Sequence, residues 1–525
     1  MRPHVTSPAL RLAAFLGLTA AFAACSSHGV AYDTSSTQAA ARMVTDSARQ
    51  FNTEEYAHIV ENPFLDARAN PVSTFSIDVD RASYANVRRF IAQGQLPPAD
   101  AVRIEEMVNY FPCEYHEPTG EHPFSVTTEV APAPWRPGHR LVRITLQGKR
   151  IETDHLPPSN LVFLLDVSGS MQSPDKLPLV KAAFRLLVEQ LRPSDRVAIV
   201  AYAGSAGLVL PSTPGSEKER ILEAIERLQS GGSTAGGEGI VLAYKIAKEY
   251  HLADGNNRVI LATDGDFNVG VSSDGELVRL IEKQREQGTF LTVLGFGTGN
   301  LKDSKMEQLA DHGNGNYAYV DNLLEAKKVF VQELGATLHT IAKDVKLQVE
   351  FNPRRVAAYR LIGYENRLLR REDFDDDEKD AGEMGAGHTV TALYELLPVD
   401  VTSDVAVRDV GPLRYQRAPV TTPAAEGDEL LYVKVRYKEP TAWTSRLLQH
   451  AVIDRATAPS LDFRFASAVA EFGMILRDSP HKGEASLDAL IARASAALGD
   501  DEGGFREEFV ELARMVQRKE LIAAR

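Results

Sequence analysis

Between residues 158 and 342, short apolar runs alternate with stretches whose apolar residues recur every three or four positions. The runs are Asn160–Leu165, Arg196–Tyr202, Arg258–Ala262 and Phe290–Phe296, the pattern of strands covered on both faces. Leu177, Val180, Phe184, Leu187, Val188 and Leu191 share one helical face. Ile221, Leu222, Ile225 and Leu228 mark a second helix, Ile240, Tyr244 and Ala247 a third, and Leu277, Leu280 and Ile281 a fourth. Gly207–Leu210 predicts a short strand closed by Pro211. A helix over 304–311, a strand over Tyr317–Val320 and a long helix from Leu323 to Ile341 complete the series. This alternation predicts an α/β domain with a doubly wound, mainly parallel sheet. Ligands of such sheets sit at the carboxyl ends of the strands.

The flanks have other periods. Residues 71–157 read as a small N-terminal α+β domain, with strands at Phe75–Asp80, Phe124–Val130 and His139–Leu146 and helices at Ala82–Gln93 and Ala101–Phe111. Residues 343–525 read as a C-terminal domain, β-sheet and then helices. Its strands are Val345–Phe351, Val356–Tyr364, His388–Leu396 and Leu430–Tyr437, helices dominate from Trp443 onward, and helical periods are clearest over 461–477 and 504–524. Residues 25–70 are rich in Ser, Thr, Ala, Gln and Asn with little periodicity, which predicts a flexible tether.

Composition narrows the class. The chain has 525 residues, 44% hydrophobic and 25% charged, which is globular composition for about three domains. A formal charge of −14 argues against a nucleic-acid partner, and two cysteines make no disulfide scaffold. Arg2 and Arg11 precede an apolar run, Leu12–Ala24, too short to span a bilayer. With Ala23-Ala24 directly before Cys25, residues 1–24 resemble a bacterial lipoprotein signal peptide. The resemblance implies cleavage before Cys25, acylation of its thiol and anchoring in the cell envelope. The Ser26-Ser27 pair then implies the outer membrane, facing the periplasm, in a Gram-negative cell.

Chemistry concentrates where the predicted strands end. Asp166 closes the first apolar run and is followed by Ser168 and Ser170; Thr234 lies in the glycine-rich loop 231–237; Asp264 closes the Arg258 strand. Two carboxylates and three hydroxyls at one sheet edge form an oxygen-only set suited to a hard cation: Mg²⁺, Mn²⁺ or Ca²⁺. Asp166-x-Ser168-x-Ser170, Thr234 and Asp264-Gly265 resemble the metal-ion-dependent adhesion site of a von Willebrand factor type A (VWA) domain, a Rossmann-like fold. The resemblance implies Mg²⁺ as the most common ion, Ser168 and Ser170 as inner ligands, Thr234 as a switchable ligand, and Asp166 and Asp264 as a balancing shell acting through water. It also implies a coordination position open to an acidic residue of a partner protein. Phe75–Tyr84, Arg103–Phe111 and Ala381–Tyr394 further resemble a family of bacterial lipoproteins that carry this domain between an N-terminal domain and an uncharacterised C-terminal domain.

Other groupings favour plainer readings. Asp78-Val79-Asp80 resembles a phosphohydrolase nucleophile motif, but Asp80 is placed to cap the helix from Ala82. Cys113, His116 and His122 lack a fourth zinc ligand at a recognisable spacing. Asp373, Asp375, Asp376 and Asp377 have Glu378 where a calcium loop needs glycine, and read as a solvated loop. Asp266 fits either an outer shell of the Asp264 site or a surface turn. The chain is therefore expected to be a membrane-anchored binding protein rather than an enzyme. A metal-dependent hydrolase is the alternative.

Overall fold

The computed structural model describes residues 53–523 except 114–116, 153–155, 234–235, 266–273, 334–338, 408–413, 416–420 and 456–457. The signal peptide with Cys25 therefore lies outside the described residues, as do Thr234, Asp266 and His116. The expected tether is corrected from residue 53 on, where the chain is packed. Phe64 and Ala67 are buried, Glu54 makes a two-point salt bridge with Arg89, and the amides of Thr53 and Glu55 donate to Gly299 and Leu301 at 2.8 and 2.9 Å. Strands β1 (Leu65–Asp66) and β2 (Val72–Ser76) follow, then helices α1 (Ala82–Ala92) and α2 (Ile104–Asn109) and strands β3 (Phe124–Pro132) and β4 (Arg140–Gly148). The expected face of α1 is buried, but so are Ser83, Asn86, Arg88 and Arg89 on its other sides. This helix is covered all round.

The central segment is the predicted doubly wound sheet. Its elements are β5 (Ser159–Asp166), α3 (Leu177–Gln190), β6 (Arg196–Tyr202), β7 (Ala206–Pro214), α4 (Lys218–Glu226), α5 (Gly236–Glu249), β8 (Asn256–Thr263), α6 (Asp274–Glu286), β9 (Thr289–Phe296), α7 (Asp303–His312), β10 (Tyr317–Val320) and α8 (Leu323–Lys327). The strand order is β10-β9-β8-β5-β6-β7, parallel except for β7. Every residue of β5 is buried, because apolar clusters cover both faces of the sheet. Strand β7 runs on through Pro211, which an edge strand tolerates. The long helix expected from Leu323 to Ile341 is shorter: α8 passes into a π-turn over Lys328–Gln332, and the next strand begins at Thr340. The wider turn accompanies two inward side chains, Phe330 and Lys328, whose ammonium lies 4.2 Å from the Tyr110 ring centre and pairs with Glu333.

The last third contributes β11 (Thr340–Phe351), β12 (Val356–Ile362), β13 (Leu368–Leu369), β14 (Gly382–Gly385), β15 (Thr389–Pro398), β16 (Glu429–Lys438), β17 (Arg446–Ile453), α9 (Leu461–Leu476), α10 (Leu487–Ser495) and α11 (Phe505–Ala523). Strand β17 occupies a stretch expected to be helical; its role is to close the sheet edge beside β16. The two flanks share their sheets. One sheet runs β1-β12-β15-β4-β3 and the other β13-β2-β11-β16-β17, with β14 on β11. A core including Val142, Ile144, Phe351, Tyr359, Tyr394 and Val433 lies between them. Helices α9–α11, with α1 and α2, cover the outer face of the first sheet through Leu141, Ile362 and Leu393. No helix among the described residues is long and apolar enough to cross a membrane.

Candidate functional site

Parallel pairing aligns the strand ends. Asp166 on β5 is in register with Tyr202 on β6, and Leu165 with Ala262 on β8, so Asp264 emerges beside Asp166. Both carboxylates are buried. After Asp166 the chain turns back: the Ser168 amide donates to Asp166 Oδ1 at 2.9 Å, and a 3₁₀ turn begins at Gly169. The turn puts Ser168 Oγ and Ser170 Oγ 3.0 Å apart. Tyr202 and Thr263 donate their hydroxyls to Asp166 Oδ2, each at 3.2 Å. Burial pushes Asp166 up to about 6; hydrogen bonds from Ser168 and Tyr202 oppose the shift, and the Asp264 charge adds to it. A carboxylate so placed is stabilised in its charged form by an adjacent cation.

The glycine-rich loop is stitched to this turn. Gly169 donates to Gly232 O at 3.0 Å, and Gly231 donates to Val167 O at 2.8 Å. The described chain thus reaches the site one residue before Thr234. The structure brings Asp166, Ser168, Ser170 and Asp264 to one sheet edge. The donor set fits a hard dication: two carboxylates are charged ligands or water acceptors, and two hydroxyls converge beside them.

One participant is absent from the sequence reading. Lys176, just before α3, places Nζ 2.8 Å from Asp264 Oδ2, and both side chains are buried. Its stem lies against Gly297, where φ is +72° and a Cβ would overlap the lysine methylenes. The pair is 88 residues apart, so no local pattern could announce it.

A second group of acids is of another kind. Asp80, Glu106 and Glu307 offer oxygens within 4.8 Å of one another. Two guanidiniums already interleave them. Arg103 pairs with Glu106 and Asp303, and Arg367 pairs with Asp80, Glu307, Asp311 and Asp78. This is an ion-pair network joining α2, α7 and the loop before β13. Asp80 does not cap α1 as expected; its Oδ1 accepts from the Tyr317 amide at 2.7 Å. The acidic run at 373–377 is likewise docked rather than merely solvated, with Asp375 and Asp377 on Arg436 and the Lys346 ammonium on the carbonyls of Asp373 and Asp376. His122 hydrogen-bonds to Tyr437 at 2.8 Å, and Cys113 Sγ to Phe111 O at 3.6 Å.

Comparison with known proteins fits this architecture. Residues 160–332 match the von Willebrand factor type A domain, residues 50–143 a family described as von Willebrand factor, and residues 336–519 the C-terminal domain of the uncharacterised protein YfbK. The Escherichia coli K12 protein YfbK is 43% identical over 470 residues, 88% of this chain and 81% of that protein. The uncharacterised Synechocystis protein sll0103 is 30% identical over 215 residues, 41% of this chain and 50% of that protein. Among solved structures, a von Willebrand factor type A protein from Catenulispora acidiphila aligns with 76% of this chain and 91% of its own, at 17% identity and a TM-score of 0.41.

Proposed function

The chain belongs to the family of the uncharacterised protein YfbK and carries a VWA domain between its two flanking segments; from that premise we propose that it is a lipid-anchored envelope protein that grips an acidic residue of a partner protein through a divalent cation. The observation that carries this reading is the buried edge where Asp166, Ser168, Ser170 and Asp264 meet. VWA domains mediate protein–protein interactions, commonly with a divalent metal at this edge. Asp166, Ser168, Ser170, Thr234 and Asp264 would hold the ion, with Mg²⁺ ahead of Mn²⁺ and Ca²⁺. The ion supplies a Lewis-acidic position for a carboxylate. The chain's own groups set its charge and hold the hydroxyls in place.

The reading is of binding rather than turnover. Ser168, Tyr202 and Thr263 hold Asp166 by hydrogen bonds and Lys176 pairs with Asp264, contacts that fix the two carboxylates in place as a binding edge requires. The signal-like residues 1–24 and Cys25 carry the envelope part of the proposal. Two acyl chains on one cysteine suffice for stable anchoring.

Calorimetric titration of the purified chain with Mg²⁺, Mn²⁺ and Ca²⁺ tests the metal, with Asp166→Ala as control. Wild type is expected to bind one ion, and the variant to bind at least about tenfold more weakly. Equal binding by a folded variant refutes the site. Cys25→Ser is expected to move the chain from the membrane to the soluble fraction of a bacterial host; an unchanged distribution refutes the anchor.

A further inference from the structure

The buried ammonium of Lys176 has no part in the reading above, yet it is built into the same edge. Its nitrogen is 2.8 Å from Asp264 Oδ2, and the two side chains are 8% and 0% exposed. Burying an ammonium and a carboxylate together gives little net stability compared with apolar residues of the same volume. The chain nevertheless fixes this lysine from several sides. Its amide donates to Ser173 O at 3.0 Å, its carbonyl accepts from Val180 at 2.8 Å as α3 begins, and Gly297 gives up its Cβ to make room for the stem.

The charges at the edge explain the arrangement. Asp166 and Asp264 supply two negative charges, and Lys176 returns one positive charge. Among these three groups, a bound dication would leave a net single positive charge, and without the lysine the sum would be zero. A cation beside the carboxylates lowers affinity for the dication alone. The same cation raises attraction for an incoming carboxylate. We propose that Lys176 is the resident counter-cation of the site: it holds Asp264 when no metal is bound, and it makes retention of the dication depend on the partner's carboxylate. This rests on the metal-binding reading above and names the residue that regulates it.

The test titrates Mn²⁺ into the full purified chain, alone and in acetate as the carboxylate probe. Lys176→Met and Lys176→Gln are compared with wild type, and Lys176→Arg with all three. The glutamine variant keeps a donor toward Asp264 and serves if the methionine variant does not fold. The neutral variants are expected to bind Mn²⁺ alone about tenfold more tightly than wild type. They are also expected to lose most of the affinity gain that acetate gives wild type, while Lys176→Arg retains it. In thermal melts, the stabilisation by Mn²⁺ is expected to be larger for the neutral variants than for wild type. Wild type that binds Mn²⁺, with neutral variants that bind it equally or more weakly, overturns the role of Lys176 and leaves the metal site standing. Wild type that binds no Mn²⁺ in either buffer overturns the metal site, and this inference falls with it.

Discussion

Gly265 follows Asp264 with φ at +98°, a backbone region L-residues avoid. A Cβ there would stand 2.6 Å from both Asn300 O and Lys302 N and 2.8 Å from Leu301 Cα. All three are backbone atoms, so no side chain can swing away. Gly265→Ala is therefore expected to cost about 2–4 kcal/mol, combining backbone strain with overpacking. It should also displace the Asp264 carboxylate. Urea denaturation checks the first effect and Mn²⁺ titration the second; a wild-type midpoint would mean that residues 300–302 yield freely. The loop they belong to is itself strapped by the amides of Thr53 and Glu55. At this scale Asp166, Ser168 and Ser170 were legible because one tight turn holds all three, and Asp264 because a parallel sheet aligns strand ends. Lys176 was not, since an ion pair between residues 88 apart in the chain leaves no local trace.

Among elements, the signals that survive folding are those with a period. The alternation of apolar runs and helical faces in 158–342 marks the strands of the central sheet and the helices around it, because each run is buried on both faces and each helix on one. The partners of the flanking strands were not legible. Alternation says that Val345–Phe351 is a strand, but not that Leu347 lies opposite Phe75 on one side and Val435 on the other. Strands β4 and β15 pair over Gln147–Thr389 to Arg140–Leu396, on either side of the whole central domain. The N- and C-terminal segments thus form one sandwich, into which the central domain is inserted. The early residues 53–70 lack a period, because they are held by single contacts such as Glu54 with Arg89 and Asn62 with the carbonyls of Leu361 and Gly363. Strand β17 was missed for a similar reason. Its half-exposed residues, with Gln449 and His450 in mid-strand, carry too weak an alternation to separate it from a helix.

Across the whole molecule, the junction between these parts is acidic and buried, and that makes stability depend on pH. Glu105 on α2 is pushed up to about 7 by burial and by Glu365, against the pull of Arg477. Among the described residues its Oε2 has no hydrogen-bond partner, as suits a carboxyl that holds its proton. Burial also lifts Asp311 to about 6, with Arg367 opposing and Asp78 adding; Asp80, Glu106, Glu307 and Glu383 move in the same direction. Such a carboxyl binds its proton more tightly folded than unfolded. Its contribution is complete below its unfolded pKa and is lost as pH rises through the folded value. Glu333, Glu395 and Glu54 are shifted the other way: each is opposed by burial, but Arg81 and Lys328, His139 and Arg360, and Arg89 respectively prevail. Their contribution is present above the ordinary carboxylate range and is lost below it. His388 and His481, lowered by burial to about 3 and about 4, act against the raised acids, since each costs stability as pH falls below its ordinary value; the raised acids are the more numerous, so the balance is loss of stability as pH rises through about 6 to 7. Calorimetric melting in the presence of a chelator is therefore expected to give a higher Tm at pH 5.5 than at pH 8. Glu105→Gln, which carries no charge to desolvate, should gain on wild type at pH 8 by on the order of 2–3 kcal/mol and flatten the difference. Equal melting at both pH values, or a glutamine variant with the wild-type slope, would show that water or a cation enters the junction and keeps these acids ionised.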